Sequence, residues 1–199
     1  MNQSLQKNLG ILTLFILHGA LTYGLNTFNK IGQCAFVFVL IGLLTNLIAY
    51  KWGNKKALSI AFLSTLLCFI ASANKTYFIQ GQPVSGLFLA SYLSLFTSCA
   101  GGVIFFSYFV KQRTESPFVL SLLSVVLSAM IDGFMMAIFF INIYPLMRVM
   151  AIFAKEVGFK ALYAGGFYAL THITGRMPLS FRKWINRALF NKNNAKGKK

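Results

Sequence analysis

The sequence predicts an all-α, polytopic membrane protein, a single bundle of six transmembrane helices, on three observations. Of its 199 residues, 57% are hydrophobic and only 11% are charged. The apolar residues fall in long runs, without the strict alternation of a half-buried strand or the 3.6-residue stripe of a helix on a soluble core. A hydrocarbon core about 30 Å thick needs about 20 predominantly apolar residues per helix, and six stretches approach or exceed that length: 9–28, 33–50, 57–72, 85–110, 118–141 and 145–171. Residues 1–173 are expected to form one membrane domain and residues 174–199 a basic cytoplasmic tail.

Basic residues set the expected orientation. The net charge of +16 is not a nucleic-acid signature, because the Lys and Arg residues sit in short loops and in the tail, where membrane orientation is encoded. With the N-terminus inside, the inner face carries Lys7, Lys51, Lys55, Lys56, Lys111, Arg113 and eight more from Arg176 onward. The outer face carries only Lys30, Lys75 and Arg148. This asymmetry places both termini in the cytoplasm, in the inner membrane of a cell, with no nucleic-acid partner.

The first stretch follows a polar start and has no small-residue cleavage site, so it reads as a retained helix. It contains His18, which serves either as a hydrogen-bonded packing residue or as a proton relay; with no acid expected beside it, packing is preferred. The second stretch runs into Tyr50 and Trp52 and then Lys51, Lys55 and Lys56, an aromatic belt followed by positive charge at the inner boundary. Thr45 and Asn46 lie one to two turns deeper, where they bind a ligand or satisfy a neighbouring helix. The third stretch is short, and a loop with a turn at Gly81 and Pro83 follows it.

The fourth stretch is rich in Ser91, Ser94, Thr97, Ser98, Ala100, Gly101 and Gly102, small residues that allow close helix packing. The fifth holds Asp132 near the middle of an apolar run. Only three acids occur in the chain, and a carboxylate at that depth costs at least a few kcal/mol, so it faces a bundle interior or cavity and meets a partner. The sixth holds Lys155, Glu156 and Lys160, with Glu156 and Lys160 four apart on one face in the favourable order. In the tail, Phe181, Trp184, Ile185 and Leu189 recur at helical spacing beside Arg182, Lys183 and Arg187, a pattern for an interfacial helix on an anionic inner leaflet. Cys34, Cys68 and Cys99 show neither C-x-x-C spacing nor neighbouring ligands, so a metal site, a disulfide framework or another cofactor is not expected.

Three segments in order resemble the vitamin uptake transporter family, whose assigned members carry queuosine precursors. The family's T-D-x-x-x-E-x-Y-G pattern aligns with Thr45-Asn-Leu-Ile-Ala-Tyr-Lys-Trp-Gly53. Its S-T-x-x-S-Q-x-I-D aligns with Ser124-Val-Val-Leu-Ser-Ala-Met-Ile-Asp132, and its late F/Y-x-K-V-L-x-A with Phe159-Lys-Ala-Leu-Tyr-Ala. The chain departs from the family at Asn46 and Tyr50, where the pattern has acids, at Cys99 and Gly102, where it has Gln and Asp, and at Ala129, where it has Gln. The departures imply a changed substrate or a loss of transport.

The resemblance implies a transporter importing a 7-deazaguanine base or similar heterocycle by secondary or facilitated transport, with Asp132, Lys160, Thr45, Asn46, Ser124 and Ser128 as substrate-binding residues. The chemistry is reasonable in its own right. A carboxylate accepts two adjacent N–H groups of such a base side by side, and Ser124, Ser128 and Asp132 share one helix face at four-residue steps. Two competing readings stay open: Asp132 and Lys160 only hold two helices together, or the chain is a non-transporting binding or assembly subunit. Oligomeric state is open too, a homo-oligomer included. Enzymatic activity is not expected, since two His, three acids and no nucleophile constellation support no reaction.

Overall fold

The computed structural model describes residues 3–28, 30–75, 78–79, 82–84, 86–112 and 115–174. They form six helices: α1 Gln3–Leu25, α2 Ile31–Trp52, α3 Asn54–Ser72, α4 Leu87–Gln112, α5 Pro117–Phe140 and α6 Leu146–Thr174. Five of them, α1 to α5, are long and apolar enough to cross a membrane. The chain is a multi-pass helical membrane protein. The sixth span expected from sequence exists as a helix but falls short of that apolarity, because Lys155, Glu156 and Lys160 sit within it. The interfacial helix expected in the tail lies outside the described residues.

Local chemistry sets the ends. One residue separates α2 from α3, and Gly53 adopts φ +90°, a left-handed conformation that glycine enters without a Cβ penalty. Ser116 caps α5 by accepting from the Val119 N–H, and Pro117 stands at the first helical position, where its missing donor leaves no bond unmade. The loop after α3, read as a turn, also carries a short antiparallel ladder of β1 Phe78–Ile79 and β2 Gln82–Pro83.

α2 is the centre of the bundle. It is apolar almost throughout and packs against all five other helices, while α1, α3, α4, α5 and α6 follow one another around it as an arc. A helix apolar on every side has no face to present to water, so burial suits it. Phe38, Ile41, Leu95 and Val125 form one core layer, and Ile48, Ile60, Val103 and Phe106 form another towards the α2–α3 turn. Leu12, Ile16, Leu67, Ile70, Ile104 and Phe134 point outward and are each more than half exposed. Such an apolar exterior is a liability in water and an ordinary surface in lipid.

Glycines allow close helix approaches. At Gly42 of α2 a Cβ would stand 2.7 Å from Val125 of α5, and at Gly133 of α5 one would stand 2.9 Å from Val157 and 3.0 Å from the Phe153 ring of α6. The α5–α6 contact beside Asp132 therefore depends on the missing side chain at 133.

Candidate functional site: a charged cavity between α5 and α6

Asp132 lies eight residues before the end of α5, about 12 Å along the helix axis. The close approach at Gly133 brings α6 alongside, and Lys160 reaches across to Asp132. Its ammonium donates to Asp132 Oδ2 and to Glu156 Oε1, the latter at 2.7 Å. It also lies 4.2 Å from the centre of the Phe38 ring, where the negative ring face adds a favourable contact. From α4, the Ser94 hydroxyl donates to Asp132 Oδ1 at 2.6 Å.

Both oxygens of Asp132 are thus engaged, while Glu156 shares a single ammonium with it. Lys160 is 2% exposed, and the Glu156 side chain keeps 24% of its surface accessible. The Glu156–Lys160 pair is the one expected from their spacing on α6.

These three side chains line a cavity of about 370 Å³ near the end of the bundle that holds the α1–α2 turn. This volume falls within the range of small-molecule sites. Asn26 and Ser91 also line it, and their 2.6 Å hydrogen bond ties α1 to α4. Phe28, Phe88 and Phe140 supply aromatic surface. The cavity can present carboxylate acceptors, an ammonium donor and ring faces to one small molecule.

Of the six residues proposed from sequence, Asp132 and Lys160 line this cavity, and the other four stand in contacts between helices. Asn46 donates its amide to Ser121 Oγ at 3.0 Å and to Ser124 Oγ at 2.6 Å, joining α2 to α5. Thr45 donates to the Ile41 carbonyl at 2.8 Å and stands 3.1 Å from His18 Nε2. Ser128 donates to the Val125 carbonyl within its own helix, and its Cβ would lie 3.3 Å from a Cβ on Gly102. The four-residue stripe on α5 is real as a helix face, but Ser124 faces α2 and Ser128 faces α4.

His18 is a second buried polar centre. Its Nδ1 lies 2.6 Å from Ser64 Oγ and its Nε2 3.1 Å from Thr45 Oγ1, so one ring connects α1, α2 and α3. Because Thr45 already donates to Ile41, the consistent arrangement has Nε2–H donating to Thr45 and Ser64 donating to Nδ1. Among the described residues no group of His, Cys, Asp or Glu is placed to hold a metal ion, and the three cysteines are free thiols.

Sequence reasoning left Glu156 and Ser94 out of the site. The signal for Glu156 was present in its four-residue spacing from Lys160, whereas nothing distinguishes Ser94 from the other hydroxyls of α4 before the helices are packed. Fold and site together define a multi-pass helical membrane protein with a charged, cavity-lining cluster. Compared with known protein families, curated proteins and solved structures, the chain matches none.

Proposed function

We propose that this chain is a secondary or facilitated transporter that admits a 7-deazaguanine base, or a similar small heterocycle, into the cavity beside Asp132, Lys160 and Glu156. The observation that carries this reading is the joining of a molecule-sized cavity to an acid–ammonium–acid cluster inside a membrane bundle. A purely structural ion pair has no need of a cavity, and buried pairs are weak stability devices once desolvation is counted. The Asp132 carboxylate is suited to the donor edge of the base, the Lys160 ammonium to its ring carbonyl, and the phenylalanine rings to its faces. Charge asymmetry of the loops favours an outward-facing cavity, the orientation for import.

Purified full-length protein in liposomes should take up labelled 7-deazaguanine, and Asp132→Asn should abolish that uptake while the protein still inserts. Saturable binding without flux would point to a binding subunit instead. If Asp132→Asn instead leaves uptake intact and strongly destabilises the protein, and Lys160→Met added to it restores stability, the pair is structural and the reading falls.

A further inference from the structure

We propose that Glu156 is the proton-carrying residue of this cavity, taking up one proton that accompanies the occupant across the membrane. The inference rests on the transport reading and adds to it a coupling ion and the group that holds it. Among the described residues, the ionisable side chains lining the cavity are Asp132 from α5, Glu156 and Lys160 from α6, and the Cys34 thiol from α2. The Cys34 thiol donates to the Leu25 and Phe28 carbonyls. From α1 and α4 come Asn26 and Ser91, which do not titrate and are bonded to each other.

Two carboxylates therefore share one ammonium. With all three ionised the cluster is one positive charge short, in a setting where uncompensated charge is expensive. A single proton removes the deficit, and the geometry says where it goes. Asp132 has Ser94 on one oxygen and Lys160 on the other, and is almost fully enclosed. Glu156 has Lys160 on one oxygen and accessible surface on the cavity side. Protonated Glu156 keeps its bond from Lys160 through its carbonyl oxygen, gains an O–H donor for the occupant, and leaves Lys160 and Asp132 as a neutral pair.

The step balances without any redox partner. An O–H bond forms at Glu156 with a proton from water on the cavity side, and it breaks when the site faces the opposite side, where water takes the proton and the carboxylate returns. A sodium ion suits the site less well. Hard cations take several oxygen ligands at once, and the Lys160 ammonium is already bound to both the Asp132 and the Glu156 carboxylates.

The full chain in lipid vesicles tests this with two readouts. Infrared titration, with no base added, should show a protonated carboxyl C=O band near neutral pH that is lost in Glu156→Gln and returns in Glu156→Asp. In vesicles containing a trapped pH dye, uptake of labelled 7-deazaguanine should acidify the lumen and rise about tenfold under an inward proton gradient. A sodium gradient should leave it unchanged. Glu156→Gln should lose both the acidification and the accumulation, and Glu156→Asp should recover part of each.

The proposal is overturned by absence of the band from the wild type, by its persistence in Glu156→Gln, by uptake without acidification, or by uptake driven by sodium. No uptake by the wild type defeats the transport reading and the coupling with it. The infrared band, measured without base, shows separately whether Glu156 holds the proton.

Discussion

Two buried polar centres in this bundle are built on opposite terms. The His18 centre joins α1, α2 and α3 through neutral groups, each donor meeting an acceptor, and none of its three residues lines the charged cavity. The Asp132 centre joins α4, α5 and α6 through charged groups, has more carboxylates than ammoniums, and opens onto a cavity. A membrane gives its helices little hydrophobic reason to associate, so polar ties of the first kind serve as modest glue. A charged centre is an expensive way to achieve the same tie. Its position beside open volume is what the proposed binding role rests on.

The sharpest way to break this comparison is Lys160→Met. It leaves the buried Asp132 carboxylate and the half-buried Glu156 carboxylate with no cation, and removing one partner of a buried pair costs about 3–5 kcal/mol. Denaturant unfolding in detergent should show that loss, and adding Asp132→Asn should restore a large part of it. If Lys160→Met proves no more damaging than a change at His18, the two centres are of one kind.

Gly133→Ala should have a smaller effect on stability and a large one on function. The added methyl meets Val157 and Phe153, and overpacking of this sort costs about 1–3 kcal/mol. Because the same approach brings Lys160 to Asp132, base uptake should fall more than the unfolding midpoint does. An equal loss in both measurements would mean that the α5–α6 approach matters only for packing.

His18→Leu should be the mildest. It removes the hydrogen bonds to Ser64 and Thr45, and single interhelical hydrogen bonds in membranes average about 0.6 kcal/mol. Stability should drop by about 1 kcal/mol, with base uptake and its pH profile unchanged. A pH profile that flattens in His18→Leu would move the titrating function from Glu156 to His18 and reverse the comparison.

The membrane character and the number of helices are written along the chain, since a helix satisfies its backbone internally and five of the six carry their own long apolar run. The importance of Asp132 was legible for the same reason: a lone acid in an apolar run is anomalous whatever surrounds it. Lys160 was legible as its candidate partner because few cations lie at membrane depth. Glu156 carried a weaker signal, its spacing from Lys160, which by itself fits an ordinary helix-surface pair.

Which polar residues share a site was decided only by the tertiary structure. Ser124, Ser128 and Asp132 lie on one face of α5, yet Ser124 is taken by Asn46 of α2, Ser128 packs against Gly102 of α4, and only Asp132 reaches the cavity. Helical periodicity fixes the direction of a side chain relative to its own axis, but not the neighbour it meets. That neighbour depends on how α2 is enclosed by five other helices and on how closely they approach at Gly42 and Gly133, contacts between residues far apart in sequence. The sequence by itself therefore determined the helices and their one anomalous acid. Packing decided that this acid would share its ammonium with Glu156 beside an open cavity, because only packing sets the distances on which charge pairing depends.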